Sequence, residues 1–142
     1  MDNHLIGIHH LGIVVDDLKN SSNTFINSLG YSAESKIIFE KTQKVYVQFL
    51  TFNNFRVELI EPKSTDSPVY HFLKKGGSLN HICYESTNID ATIIFFRKEY
   101  GSICVSYEMS QSIIDCKVGF FAKPNGEIIE VIQPMNGLKY FP

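Results

Sequence analysis

Positive charge, cysteine and long apolar runs are all scarce in this sequence, and each scarcity removes a class of function. Thirteen Lys and Arg stand against fifteen Asp and Glu, for a formal charge of −2 over 142 residues. No basic cluster exceeds the pair Lys74-Lys75. A surface that tracks phosphates needs more positive charge than that, so no nucleic-acid partner is expected. No apolar stretch is long enough to span a bilayer. The opening Met1-Asp2-Asn3-His4 is polar and lacks the basic-then-apolar order of a leader, so a cytoplasmic protein is expected. The three cysteines, Cys83, Cys104 and Cys116, form no CxxC. They are expected to be reduced thiols filling small buried positions rather than a disulfide framework.

What is present suits a β-rich globule. Hydrophobic residues make up 44% of the chain, with eleven Phe and seven Tyr. That is enough for a core and for the lining of a small-molecule cavity. The length fits one domain over residues 1–142.

The chain also repeats itself, at a spacing of about seventy residues. His10-Leu-Gly-Ile-Val-Val-Asp-Asp-Leu18 lies over His81-Ile-Cys-Tyr-Glu-Ser-Thr-Asn-Ile89. A strand histidine opens each segment, and Asp17 or Asn88 stands ready to cap a helix. Leu18, Phe25, Ile26 and Leu29 form one helical face, as do Ile89, Ile93, Phe96 and Tyr100. Gly30 and Gly101 then stop the two helices. Strands are expected near 33–40, 43–52 and 55–61, and again near 102–109, 115–123 and 127–133. Turns are expected at Asn53-Asn54 and Pro124-Asn125-Gly126. The closing strands match best: Val57-Glu58-Leu59-Ile60-Glu61-Pro62 over Ile129-Glu130-Val131-Ile132-Gln133-Pro134.

The expected fold class is therefore α+β. Two βαβββ modules, at about 5–62 and 79–134, would join into one curved, cup-shaped mixed sheet with the helices outside. A linker helix over 67–75 would connect them, capped by Ser67 with Pro68 in its first turn and stopped at Gly76-Gly77. Leu138, Tyr140 and Phe141 in the tail are available to dock.

The repeat selects four residues. Each module has a His early in its first strand and a Glu in the middle of its last, at nearly equal separation. Pseudo-twofold packing would bring His10, Glu58, His81 and Glu130 to one axis. Two imidazoles and two carboxylates suit a divalent first-row ion, and the carboxylates balance its charge. The repeat also separates His10 from His9. Asn80-His81 lies over His9-His10, and strand alternation sends His9 to the other face, as a surface or packing residue.

These segments resemble the vicinal-oxygen-chelate (glyoxalase/bleomycin-resistance/dioxygenase) superfamily. The likeness rests on His10 in IHHLGIVVDDL, Glu58 in VELIEP, His81 in LNHICYE and Glu130 in PNGEIIEVIQ, and covers nearly the whole chain. Within the superfamily, VELIEPKSTDSPVYHFLKKGGSLNHICYE is most similar to methylmalonyl-CoA epimerases. The resemblance implies one divalent metal ion (cobalt, manganese, nickel or zinc), a homodimer, and an acyl thioester or hydroxycarbonyl substrate. The implied reaction is epimerisation or isomerisation by proton abstraction next to a carbonyl, with the metal as Lewis acid. Glu130 is the first candidate for the base and Glu58 the second. Some epimerases carry a further acid or base on the third strand. Here Val45–Leu50 offers only Gln48 and Tyr46, and Gln48 is the candidate for touching substrate. The quartet equally matches a glyoxalase I-like lyase. A non-catalytic, drug-sequestering binder on the same fold would lack it.

Overall fold

The computed structural model describes residues 2–101, 103–110, 112–113 and 116–134, with the backbone alone for 103–106. It divides into two compact units: residues 10–80, and residues up to His9 together with those from His81 onward. The start of the chain thus belongs with the second half, whereas the repeat had assigned residues 5–9 to the first module. The bonds that tie it there are specific. Thr92 Oγ1 donates to Asn3 O at 2.7 Å, and Thr87 N–H donates to His4 O at 3.1 Å.

The unit of residues 10–80 holds the second half of β1 (Leu5–Val14), then α1 (Leu18–Leu29), β2 (Ser32–Ala33), β3 (Ile38–Glu40), β4 (Val45–Phe52), β5 (Phe55–Pro62) and α2 (Tyr70–Lys74). Its strand order is β2-β4-β5-β1, with β3 also on β4, and β1 runs parallel to β5. The other unit holds the first half of β1, β6 (Leu79–Ser86) from His81 onward, α3 (Ile89–Tyr100), β7 (Ile103–Met109), β8 (Cys116–Ala122) and β9 (Ile128–Pro134). Its order is β6-β9-β8-β7, and β6 runs parallel to β9. The same connectivity therefore occurs twice.

The helix ends follow the repeat closely. Asp17 Oδ1 accepts the N–H of Asn20 at 2.9 Å, and Asn88 Oδ1 that of Ala91 at 3.1 Å. Gly30 and Gly101 close the helices with φ of 83° and 61°, a region that costs glycine nothing. A second mirrored bond lies deeper. Leu18 N–H donates to Glu61 Oε1 at 2.8 Å, and Ile89 N–H to Gln133 Oε1 at 2.7 Å. Each helix start is thus held by the polar residue three places after the closing-strand glutamate.

One face of each helix is buried on its own sheet. Leu18 packs with Leu50, Val57 and Leu59, flanked by Phe25 and Ile26. Ile89 and Phe96 pack with Phe121 and Val131, flanked by Ile93. Burying a Leu, Ile or Phe side chain contributes about 1.5–3 kcal/mol, so these clusters fix which sheet face the helices cover. The opposite face is left for the candidate site.

Two expectations are corrected. The strand expected over 33–40 is broken into β2 and β3, because Glu34 and Ser35 N–H both turn to Phe49 O and Ser35 Oγ accepts the N–H of Phe49 at 2.9 Å. The linker helix begins at Tyr70 with Val69 at the cap and no side-chain cap. Ser67 is not the N-cap: its hydroxyl donates to Gln43 O at 2.9 Å. Gly77 leaves room for the Phe72 ring: a Cβ there would stand 2.6 Å from it, so the ring would have to move. The tail residues Leu138, Tyr140 and Phe141 lie outside the described residues.

Candidate metal centre

In the unit of residues 10–80, Gly12 is in register with Glu58 across the parallel pair β1·β5. His10, two residues before Gly12, shares its face and so faces Glu58. His10 Nε2 is 3.6 Å from Glu58 Oε1, and the two residues are 1% and 6% exposed. Phe49 on β4 lies directly opposite Glu58. Its ring meets the His10 ring edge-on, centroids 5.3 Å apart at 79°.

The other unit repeats this geometry. Cys83 is in register with Glu130 across β6·β9, and His81 stands two residues before Cys83. His81 Nε2 is 2.7 Å from Glu130 Oε2, at 4% and 5% residue exposure. Phe120 on β8 lies opposite Glu130, and its ring meets that of His81 at 5.7 Å and 85°. Each unit therefore presents one buried imidazole, one buried carboxylate and one aromatic wall.

These pairs fit a divalent ion. Two donors each about 2.1 Å from one ion at near-right angles stand about 3 Å apart. The observed 3.6 and 2.7 Å bracket that separation. Carboxylates are almost never buried unless paired or bound to metal, and both pairs supply the mixed nitrogen and oxygen donors that first-row ions take.

The remaining candidates fall elsewhere. Gln48 is in register with Leu59, on the face that carries Leu50 and Val57. That is the helix face, opposite to Glu58. Its Nε2 donates to Ser35 O at 3.2 Å. Tyr46 shares that face, in register with Glu61. Tyr46 and Glu61 line a cleft of about 350 Å³ with Asp16, Asp17, Leu18, Lys19 and Ile37. This cleft lies at the start of α1, and none of the four His and Glu residues lines it. His9 is 3% exposed, hence a packing rather than a surface residue. Cys83 and Cys116 are buried free thiols, as expected; the side chain of Cys104 lies outside the described residues.

The sequence reading missed Phe49 and Phe120. A signal was available: a phenylalanine stands four residues before each turn, on the strand that pairs with the glutamate strand, at nearly the same offset from Glu58 and Glu130.

Comparison with known proteins agrees with this architecture. The mouse protein "Methylmalonyl-CoA epimerase, mitochondrial" is 31% identical over 94 residues, 65% of this chain and 52% of its own length. The chain thus spans about half the length of that relative. "Uncharacterized protein YqjC" of Bacillus subtilis is 29% identical over 89% of this chain and 91% of its own. A structure of a Streptomyces coelicolor methylmalonyl-CoA epimerase variant, in complex with 2-nitronate-propionyl-CoA, superposes with a TM-score of 0.81 at 22% identity. It covers 97% of this chain and 99% of that one, and at that identity it establishes the glyoxalase-like fold. The model of the Glyoxalase/Bleomycin resistance protein/Dioxygenase superfamily matches residues 9–120. With most of its length inside that match, the chain belongs to the Glyoxalase/Bleomycin resistance protein/Dioxygenase superfamily.

Proposed function

We propose that this chain is a metal-dependent epimerase or isomerase that moves a proton next to a carbonyl, in the manner of methylmalonyl-CoA epimerase. The observation that supports it is the duplicated buried pair, His10 with Glu58 and His81 with Glu130. In this reading residues 1–142 form one domain, and the two pairs together hold one cobalt, manganese, nickel or zinc ion. When bound, the metal supplies Lewis acidity to a carbonyl oxygen of the substrate and so lowers the barrier to losing the neighbouring proton.

The chain's own residues do the rest. His10 and His81 bind through Nε2, each oriented by the ring packed edge-on against it. The Glu130 carboxylate takes the proton from the substrate carbon, and Glu58 is the group that returns or takes it on the other side. Phe49 and Phe120 exclude water beside the two carboxylates, which keeps their charge effective at short range. The substrate is an acyl thioester or hydroxycarbonyl compound, and the protein works as a cytoplasmic homodimer.

Two measurements test this reading. Elemental analysis should find about one divalent ion per chain, depleted in Glu130→Ala. Metal-loaded protein in D2O should exchange the α-proton of methylmalonyl-CoA, followed by NMR. No metal uptake from cobalt, nickel, manganese or zinc would sink the enzyme reading in favour of a binding protein. Metal uptake without exchange, but with turnover of a hemithioacetal, would move the chain to the glyoxalase I-like lyase.

A further inference from the structure

The two histidines stand in rows of opposite character. Cys83 is in register with Glu130, so His81 and Ile128, each two residues earlier, share the next row of the site face. Ile128 is in register with Ala122 on β8. That row reads His81, Ile128, Ala122. In the other unit Gly12 is in register with Glu58, so His10 shares its row with Arg56, and Arg56 is in register with Thr51. The histidine and glutamate recur in both units; their flanks do not.

The polar flank is closed by its own pairing. Arg56 donates to Glu34 from Nε at 2.7 Å and from Nη2 at 2.9 Å, and Phe49, one row along, is fully buried. The apolar flank is open. Phe120, Ala122 and Ile128 are each half-buried, and a methyl at Ala122 covers little of the Phe120 ring beside it. Contact places this flank at the donors. The Phe120 ring meets the His81 ring with centroids 5.7 Å apart, and Phe120 lies opposite Glu130. Neighbouring strands are about 4.8 Å apart, so Ile128 stands next to His81. A molecule held at His81 and Glu130 has these three side chains as its neighbours on that flank.

We infer that Phe120, Ala122 and Ile128 select substrate: they take a short alkyl substituent carried next to the metal-facing oxygens, and they disfavour a charged one. This rests on the reading of the His–Glu pairs as a metal site that holds a carbonyl compound. Covering half-exposed apolar surface with an alkyl chain is favourable in proportion to the area removed from water. None of the three side chains offers a hydrogen bond, so a charged substituent would lose water there without a replacement. The flank of His10 gives no such preference, because a guanidinium and a hydroxyl stand in the same places.

Calorimetry on cobalt-loaded protein tests this with three hydroxamates, which chelate through two adjacent oxygens. The probes are acetohydroxamate, butanohydroxamate and the monohydroxamate of succinate, whose chain ends in a carboxylate. Butanohydroxamate should bind about tenfold tighter than acetohydroxamate, the scale of two buried methylenes, and the succinate probe should lose that gain. In Ile128→Thr the tenfold ratio should shrink. In Ile128→Arg, which brings in the residue type of Arg56, the succinate probe should bind at least as tightly as butanohydroxamate. Thr51→Ala, on the flank of His10, should leave the ratio as it is. Equal affinities for acetohydroxamate and butanohydroxamate, a ratio that both Ile128 variants leave unchanged, or a ratio lost in Thr51→Ala would overturn the inference. So would a gain from the longer chain that persists without cobalt. Failure of acetohydroxamate to bind better with cobalt than without would overturn the metal reading itself, and this inference with it.

Discussion

Phe49 stands directly across from Glu58 in the antiparallel register of β4 and β5, and it is fully buried. Its counterpart Phe120, opposite Glu130, is only half-buried. The two aromatic walls are equivalent in topology but unequal in packing. The backbone of Phe49 is also clasped by Glu34 and Ser35, whose N–H groups reach its carbonyl at 2.9 and 3.2 Å.

That inequality gives the first prediction. Phe49→Ala should destabilise the protein by about 3–5 kcal/mol, because it empties a fully packed position. Phe120→Ala should cost clearly less. Urea denaturation of both variants checks the order. Equal losses would mean that exposure of the ring does not set its contribution.

The second prediction separates the adjacent histidines. His10→Ala should lower metal affinity strongly through loss of a donor. His9→Ala should leave metal content near that of the natural protein but cost stability of about 1–3 kcal/mol, since His9 is as buried as a core residue. Elemental analysis and thermal unfolding of both variants decide it. Metal lost in His9→Ala and kept in His10→Ala would show that the register is wrong by one residue.

Much of this was legible before the structure because duplication prints every constraint twice. His10 and His81, Glu58 and Glu130, Asp17 and Asn88, Gly30 and Gly101 each occupy the equivalent place in the two halves. Features that occur once were not legible. The break at residues 34–37 depends on Ser35 and Glu34 turning to Phe49, a contact between strands that no local pattern encodes. Ser67 looked like a helix cap because its residue type suits one, yet Gln43 O takes its hydroxyl. Gln48 was chosen because the resemblance places an acid or base on the third strand, and counting alternate positions from Glu58 across the hairpin would have set it on the helix face. His9 was expected to be surface or packing, and only the neighbours supplied by the fold settle that it is buried.

The third prediction uses the mirrored bonds at the helix starts. Glu61 holds Leu18 N–H where Gln133 holds Ile89 N–H. An amide oxygen already does this work in one half, so Glu61→Gln should unfold within about 0.5 kcal/mol of the natural protein. Glu61→Ala and Gln133→Ala should each cost about 1–2 kcal/mol, the size of a lost helix cap. A large loss in Glu61→Gln would show that the charge of Glu61, and not its acceptor oxygen, holds α1.

The fourth prediction concerns acid. Asp66 is held at about 2, below the ordinary 3.8, first by the hydrogen bond from Lys44 Nζ and then by the bond from Ser64 Oγ. A carboxyl whose pKa is depressed by folding favours the folded state above 3.8. That contribution is lost as pH falls from 3.8 through about 2. The group is fully exposed, so solvent screens the pair and the effect on global stability is small. The titration midpoint is therefore the proper readout. Carboxyl NMR should place Asp66 near 2, and Lys44→Met should raise it towards 3.8 more than Ser64→Ala does, because the lysine bond is the larger cause. The shift should also shrink in high salt as the ion pair is screened. A midpoint near 3.8 in the natural protein would mean that the Lys44–Asp66 pair does not persist in solution.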